Sequence, residues 1–196
     1  MLPVIWLLGL SGSGKTTLGS ILRLHLEGQG FDVEHTDGDV FRKRFGFHGF
    51  SYEDRMRNIN AMRQYTLDCC LQGKFCIVTA ITPYAPMRQV NREILPNYRE
   101  VWVRCSLDEL VRRDPKGLYA RAGRGELQRL TGVADAFDEP LNADLVIDTD
   151  MFSLAQSYTA LRNLAENALE ASGDAQAVNF MPPSMPGANI FMSALQ

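Results

Sequence analysis

The N-terminal segment constrains the fold of this chain more than any other part of the sequence. An apolar run from Leu2 to Leu8 predicts a short buried strand, and a helical pattern begins near Lys15. Between them, residues 9–17 read GLSGSGKTT, which has the spacing G-x-x-x-x-G-K-[ST] between a strand and a helix. The glycines let successive backbone N–H groups point at one anion, and the helix N-terminus adds its positive dipole. This segment therefore predicts a loop that binds the phosphates of a nucleoside triphosphate.

The residue types of this loop predict its cofactors. We expect Lys15 to reach the β- and γ-phosphates and to act in catalysis, and we expect the Thr16 hydroxyl to be a ligand of Mg²⁺. ATP and Mg²⁺ are therefore the expected cofactors. The expected nucleotide-binding residues are Gly9, Ser11, Gly12, Ser13, Gly14, Lys15, Thr16 and Thr17.

Length and composition indicate one domain with a substantial hydrophobic core. The chain has 196 residues, of which 45% are hydrophobic, and its formal net charge is −3. This charge gives no general reason to expect a nucleic-acid or membrane-surface partner. The cysteines lack C-x-x-C spacing and the histidines lack ligand spacing, which favours reduced, buried thiols in a cytoplasmic protein over a metal site. The N-terminal apolar run is too short to span a bilayer and is expected to be a strand.

Strand and helix patterns alternate along the chain. This alternation predicts an α/β protein with a three-layer P-loop NTPase fold, in which helices cover both faces of a parallel sheet. Ser106 and Glu109 match a capping box at the start of the fourth helix. The predicted strands are 3–8, 31–36, 75–80, 100–105 and 141–147, and the predicted helices are 15–27, 54–71, 87–95, 107–113 and 152–169.

Two segments depart from the alternation. Residues 114–139 are rich in Gly and Arg and have weak periodicity, so we expect a mobile lid that closes over the transferring phosphates. Residues 172–196 contain several prolines and predict a C-terminal tail outside a kinase domain of residues 1–171. Phe180, Ile190 and Phe191 of the tail are candidates for docking on the domain or on a second subunit.

Two carboxylates follow the second predicted strand, in the sequence Thr36-Asp37-Gly38-Asp39. In open parallel sheets, ligands bind beyond the carboxyl ends of the strands, so we expect both carboxylates on the same rim as the phosphate loop. One would accept a proton from an attacking hydroxyl, and the other would hold Mg²⁺ through water. The alternative is an ordinary Asx turn with solvated carboxylates.

Basic residues cluster in the segment that follows these carboxylates. Arginine suits bidentate recognition of phosphate or sulfate, although we expect Lys43, Arg57 and Arg63 on solvated helix faces. The clustered residues are Arg42, Lys43, Arg44, Arg55, Arg57, Arg63, Arg88 and Arg92.

These motifs together resemble the adenylylsulfate (APS) kinase family, which phosphorylates the 3′-hydroxyl of APS with ATP. The matched segments run in family order over most of residues 4–150, and RDPKGLY and GFSYEDR are more specific to the family than the phosphate loop. They include GLSGSGKTT (9–17), DGD (37–39), GFSYEDR (49–55), ITPY (81–84) and RDPKGLY (113–119).

The resemblance implies roles for the residues around the acceptor. Asp37 and Asp39 would carry catalytic and metal-positioning roles, and Phe50 would stack on the base of the acceptor. The implied acceptor-binding residues are Arg42, Phe50, Arg55, Asn58, Ile81, Thr82, Pro83, Lys116, Gly117 and Leu118, of which the last three belong to the lid.

The chain departs from the family pattern on the acceptor side, where Val40, Asn60, Ala61, Ala80, Ala85 and Leu130 replace Asn, Arg, Arg, Phe, Arg and Phe. Three functions therefore stay open. The chain phosphorylates APS, or it phosphorylates another nucleotide-linked or small-molecule hydroxyl such as that of cytidine diphosphoramidate, or it is a nucleotide-binding module without catalysis. The intact Lys15, Thr16, Asp37 and Asp39 argue against the third. A homodimer is a further expectation.

Overall fold

The structure, a computed structural model, describes residues 1–173 and contains five parallel strands in one sheet. The strand order is β2-β3-β1-β4-β5. The strands are β1 (Val4–Leu8), β2 (Val33–Asp37), β3 (Phe75–Thr79), β4 (Tyr98–Arg104) and β5 (Leu145–Asp148). The helices in these residues are α1 (Lys15–Gly28), α2 (Gly38–Phe45), α3 (Tyr52–Leu71), α4 (Ala85–Ile94), α5 (Leu107–Arg113), α6 (Leu118–Gly123) and α7 (Leu154–Ala171).

The central strand β1 explains why the sheet has helices on both faces. Every side chain of β1 is fully buried, which is typical of a parallel strand covered on two sides. Ile5 and Leu7 pack in a cluster with residues of α1 and α7, whereas Trp6 packs with residues of α3 on the other face. Burying one such large apolar side chain contributes about 1.5–3 kcal/mol, so β1 holds the two layers together. The predicted three-layer α/β fold is confirmed.

The predicted strands and long helices are confirmed within a few residues, but α2 and α6 were not predicted. Asp37 accepts hydrogen bonds from the backbone N–H groups of Asp39 and Val40 at 3.0 and 3.2 Å. The Asx interaction that suggested a turn is therefore the N-cap of α2. The short helix α6 lies inside the segment 114–139 and begins after Gly117, whose φ is 63°.

The capping box predicted at Ser106 is wrong. The Ser106 side chain makes no capping hydrogen bond, and Asp150 accepts from its backbone N–H group at 3.1 Å. Glu109 instead accepts hydrogen bonds from Arg112 and Arg113 within the same helix. Because these two arginines compete for the carboxylate, the Ser-x-x-Glu pattern does not form its usual reciprocal bonds.

A further prediction that fails is the solvated position of Arg63. This side chain is 6% exposed, and its guanidinium donates to Asn91 at 2.7 Å and to Asn60 at 2.9 Å. A buried arginine needs such partners, so the residue ties α3 to α4.

The helices and the cysteines of the described residues bear on whether this part of the chain holds a membrane span or a metal site. No helix in residues 1–173 is long and apolar enough to cross a membrane. Within the same residues, no group of three or more His, Cys, Asp or Glu side chains is arranged to hold a metal ion, and the four cysteines are free and buried. The predicted docking residues Phe180, Ile190 and Phe191 lie outside the described residues.

Candidate active site

A cavity of about 950 Å³ lies beyond the carboxyl ends of the central strands. Its walls come from the phosphate loop, the starts of α2 and α3, the loop after β3 and the segment 115–131. This convergence is expected because the strands are parallel and their ends share one edge. The predicted site residues that line it are Ser11, Gly12, Gly14, Lys15, Thr16, Thr17, Asp37, Asp39, Arg42, Phe50, Arg55, Asn58, Ile81, Thr82, Pro83, Lys116 and Leu118.

Three predicted site residues do not line the cavity. Gly9 has φ 142°, and a Cβ there would collide with the carbonyl of Val103, so this glycine lets the loop pass close to β4. The Ser13 side chain is buried beneath the loop, and Gly117 is the residue before α6. These residues shape the backbone around the cavity.

Lys15 is buried under the phosphate loop. Its Nζ donates to the carbonyl of Leu10 at 2.7 Å and lies 3.4 Å from Oγ of Ser13. Burial, helped by the charge of Lys116, lowers the pKa of Lys15 to about 8, although Asp39 and Asp37 act in the opposite direction. Among residues 1–173 the ammonium group forms no ion pair, and an anion in the loop would supply a counter-ion.

Asp37 is held in one orientation by four hydrogen bonds. Its Oδ2 accepts from the hydroxyl of Thr16 at 2.7 Å and from that of Thr79 at 3.1 Å. Its Oδ1 accepts from the backbone at Asp39 and Val40. Burial alone would raise the pKa of Asp37, but the hydrogen bonds led by that from Thr16 bring it below its usual value. The carboxylate is therefore ionised and fixed beside the phosphate loop.

Asp39 is more exposed than Asp37 and pairs with Lys116. The ion pair joins the start of α2 to the segment 114–139, and more than half of each side chain is accessible to solvent. Exposed ion pairs contribute only about 0–1 kcal/mol, so this contact is easily exchanged for one with a ligand. One of the two predicted catalytic carboxylates and a predicted lid residue thus meet at the mouth of the cavity.

Phe50 forms an aromatic wall between two arginines. The guanidinium carbon of Arg42 lies 4.4 Å from the centre of the ring, and that of Arg55 lies 5.7 Å from it. Arg42 also donates to the carbonyl of Gly49, and Nε of Arg55 donates to the carbonyl of Phe50 at 3.1 Å. Because the ring is half exposed, one part of it remains available to a ligand.

Two buried polar atoms near the cavity have no hydrogen-bond partner among the described residues. They are Oδ1 of Asn58 and Oγ1 of Thr131, and both residues line the cavity. Leaving such a group unsatisfied costs about 1–3 kcal/mol. A polar ligand in the cavity is one way to satisfy them.

The loop after β3 is strained and held from beneath. Thr82 has φ 47°, which is uncommon for a residue with a branched side chain. Nε1 of Trp6 donates to the Thr82 hydroxyl at 2.8 Å, and the buried Arg88 donates to the carbonyls of Thr82 and Pro83 at 3.3 and 3.4 Å. Arg88 therefore supports the cavity wall and does not enter the cavity itself.

Leu130 has two environments. It lines the cavity, and it also packs in a small apolar cluster with Cys105, Leu110 and Tyr119, where only 5% of it is exposed. A larger side chain there would have to displace part of this cluster or extend into the cavity.

Two residues that organise this site were not predicted from the sequence. Thr79 is the last residue of β3 and lies beside Asp37 in the register of the parallel pair. Asp135 accepts from Nη2 of Arg55 at 2.8 Å and holds it against the segment 129–135. The position of Thr79 at a strand end was a usable signal, whereas nothing local to Asp135 indicates a partner in α3.

Known proteins match most of this chain. The family model described as adenylylsulphate kinase matches residues 2–148. The probable adenylyl-sulfate kinase of Archaeoglobus fulgidus is 41% identical over 148 residues, which cover 75% of this chain and 96% of that protein. The adenylyl-sulfate kinase of Chloroflexus aurantiacus is 42% identical over 154 residues, which cover 78% of this chain and 83% of that protein.

A solved structure extends the similarity to three dimensions. The structure of the Mycobacterium tuberculosis APS kinase CysC in complex with AMPPNP and APS matches with a TM-score of 0.79 at 31% identity. The match covers 84% of this chain and 98% of that chain. With its phosphate loop, its paired carboxylates and these relatives, the chain belongs to the adenylylsulfate kinase family.

Proposed function

We propose that this chain transfers the γ-phosphoryl group of ATP to the 3′-hydroxyl of APS, which gives PAPS and ADP in sulfate activation. The observation that carries the proposal is that Asp37 and Asp39, at the end of β2, line the same cavity as Lys15 and Thr16 of the phosphate loop. A phosphoryl donor and a hydroxyl group beside Asp39 would therefore share one cavity. Membership in the family supports APS as the acceptor.

The residues at the phosphate loop fit Mg²⁺. This cation prefers oxygen ligands and keeps several waters and substrate phosphates, so it does not need a large cluster of protein carboxylates. The Thr16 hydroxyl and the Asp37 carboxylate, 2.7 Å apart, supply one direct oxygen ligand and one acceptor for a bound water. When bound, Mg²⁺ would neutralise charge that develops on the β- and γ-phosphates.

Asp39 is the proposed general base. It is not one of the residues that hold Thr16, and its pairing with Lys116 is exposed and easily replaced. A carboxylate in this position would accept the proton of the attacking hydroxyl, while Lys15 meets the negative charge of the phosphates. Asp39 would then return the proton to solvent after product release.

The acceptor would occupy the half of the cavity formed by α3 and the loop after β3. Phe50 offers a ring face for a base, and Asn58 offers a buried oxygen that has no hydrogen-bond partner within residues 1–173. Arg42 and Lys116 bring positive charge toward the anionic part of APS. We further propose that residues 114–139 act as the lid of a kinase domain spanning residues 1–171, that 172–196 is a tail outside it, and that the protein forms a homodimer in the cytoplasm.

Two residues in the cavity wall favour a second class of acceptor. Ala80 and Leu130, where the family pattern has Phe, both line the cavity and make this part of its wall aliphatic. Losing an aromatic stacking partner costs about 1–3 kcal/mol per base in single-stranded nucleic-acid systems. These substitutions favour an acceptor with a different base, such as cytidine diphosphoramidate, or with no base.

A coupled assay of ADP release tests the proposal. The purified protein is given ATP and Mg²⁺ with APS, other nucleotides, cytidine diphosphoramidate or small alcohols in turn, and we expect APS to give the highest kcat/KM. Lys15→Ala is the inactive control, because it removes the charge that meets the phosphates. Fast turnover of another acceptor without APS turnover would select the second class. Tight ATP binding with no acceptor-dependent ADP release would overturn kinase activity itself.

A further inference from the structure

Two side chains support Asp37, namely Thr79, which also lines the cavity, and His35, which does not. Thr79 lies beneath Asp37 and is 2% exposed, and its hydroxyl donates to Oδ2 of Asp37 at 3.1 Å. Nε2 of His35 lies 3.3 Å from the same hydroxyl. The two strands carry these residues in register, with Asp37 beside Thr79 and His35 two residues earlier on β2. Because side chains alternate along a strand, His35, Asp37 and Thr79 share one face.

The direction of each hydrogen bond follows from what the groups can donate. An ionised carboxylate only accepts, so the single proton of the Thr79 hydroxyl goes to Asp37. The hydroxyl oxygen is then an acceptor toward His35, which must carry a proton on Nε2. The result is an ordered chain from His35 through Thr79 to Asp37, and Thr16 donates to the same carboxylate oxygen from the other side.

A glycine in α1 provides the space for this arrangement. Gly19 lies one turn after Thr16, and a Cβ there would be 2.7 Å from Cγ2 of Thr79 and 2.9 Å from Nε2 of His35. Real Cβ atoms do not approach other atoms so closely, so the two side chains fill the volume that Gly19 leaves open. The helix that carries Thr16 thus packs directly on the residues that support Asp37.

We infer that Thr79, held by His35, is a positioning residue that orients Asp37 and, through it, the Thr16 hydroxyl for Mg²⁺. With its proton directed to Asp37, Thr16 keeps oxygen lone pairs available to a cation. If the Asp37 carboxylate rotated, the Thr16 proton would lose its acceptor and the hydroxyl would no longer be fixed. This inference rests on the proposed nucleotide site, but it does not depend on which acceptor the enzyme uses.

The test measures how much Mg²⁺ strengthens nucleotide binding. AMPPNP is titrated by calorimetry into the full-length protein, once with Mg²⁺ and once with EDTA, and the ratio of the two Kd values is the readout. Thr79→Val keeps the shape of the side chain but removes the hydroxyl, and Thr79→Ser retains the hydroxyl. A hydrogen bond to a charged group is strong enough that we expect Thr79→Val to reduce the Mg²⁺-dependent ratio about tenfold.

We expect Thr79→Ser to retain most of the wild-type ratio. His35→Phe should lower the ratio about threefold, because His35 is one hydrogen bond further from Asp37 than Thr79 is. The AMPPNP affinity in EDTA should be similar in all variants, and thermal melting checks that each one is folded. A wild-type ratio in Thr79→Val would overturn the inference. An equal loss in Thr79→Ser and Thr79→Val would also overturn it, because packing alone would then explain the effect. Since AMPPNP is the only ligand, these results stay separate from the failure of APS as an acceptor.

Discussion

Nη2 of Arg55 lies 2.8 Å from Oδ2 of Asp135, and this pair joins α3 to the segment 114–139. The side chains are 7% and 19% exposed, so the pair is largely buried. Removing one partner of a buried pair is strongly destabilising, by about 3–5 kcal/mol. The pair between Lys116 and Asp39, at the other end of the segment, is exposed and weak. The proposed lid is therefore anchored by a buried ion pair near residue 135, whereas its ion pair at residue 116 is exposed and easily exchanged.

Limited proteolysis should reveal this asymmetry. In the free protein, we expect trypsin to cut after Arg121 or Arg124, which are exposed and lie in the part far from the anchor. AMPPNP and APS together should protect these sites, because a closed lid excludes the protease as it excludes water. Mass spectrometry of the fragments identifies the cuts. An identical fragment pattern with both ligands at saturation would mean that the segment is static.

Lys116→Ala should weaken use of the acceptor more than binding of ATP. The side chain pairs with Asp39 at the mouth of the cavity, where an anionic acceptor would enter. We expect KM for APS to rise about tenfold, which corresponds to the loss of one charge-assisted hydrogen bond. KM for ATP should change by less than about threefold. Arg112→Ala is the matched control, because Arg112 is exposed and, within the described part of the chain, forms its ion pair with Glu109 of its own helix. Equal effects on both KM values would contradict an acceptor role.

Nucleotide binding should take up protons at alkaline pH. The pKa of Lys15 in the free protein is about 8, so at pH 8.5 most of this lysine is neutral. Phosphates favour the charged form and raise the pKa, so binding must protonate the amine. Calorimetry of AMPPNP binding in buffers of different ionisation enthalpy measures this uptake. Lys15→Arg, which is always charged, should bind without it. Wild-type binding at pH 8.5 with no proton uptake would rule out the lowered pKa.

Substitution of the two carboxylates should produce different kinetic defects. Asp39→Asn keeps shape but removes basicity, and we expect kcat to fall by about 10²–10⁴ with little change in ATP affinity. Asp37→Asn should show a defect that high Mg²⁺ partly restores, because this carboxylate orients Thr16. Steady-state rates across a Mg²⁺ series separate the two. Near-normal rates in both variants would leave the carboxylates with only a structural role at the start of α2.

The direction of the Leu130→Phe effect should distinguish the two acceptor classes. If the chain is an APS kinase, a ring added to the cavity wall should strengthen the binding of APS. The gain in binding free energy should be at most the value for stacking of one base, about 1–3 kcal/mol. For an acceptor that needs the space, the same change should impair turnover. Because Leu130 also packs with Tyr119 and Leu110, thermal melting must accompany the kinetics. APS turnover that is undetectable in both forms would leave a kinase with another acceptor.

The sequence predicts most of the sheet and the phosphate loop because both depend on local patterns. An apolar run identifies β1, and the spacing of the glycines identifies the phosphate loop. The site residues that escaped prediction depend on contacts between distant positions. Asp135 meets Arg55 across 80 positions, and Thr79 meets Asp37 across 42. The end of a predicted strand places Thr79 at the rim of the site, but propensity and spacing do not identify the partner of either residue.

The errors have similar physical causes. The pattern at Ser106 is a valid capping signal, but arginines one turn away take the glutamate that it requires. Arginine is usually found on protein surfaces. The guanidinium of Arg63 is nevertheless buried, because Asn91 and Asn60 accept its hydrogen bonds in the interior. In both cases, side-chain partners that the one-dimensional pattern does not specify decide the outcome.

The walls of the cavity belong to different loops, and this separation affects how the protein can change. The nucleotide half comes from the β1–α1 loop and the end of β2, whereas Ala80 and Leu130 lie on later segments. Neither position belongs to β1 or to the phosphate loop, so a substitution there changes no residue of either segment. Acceptor preference can therefore drift by substitution at positions 80 and 130, provided that Thr82 keeps the hydrogen bond that it accepts from Trp6 of β1.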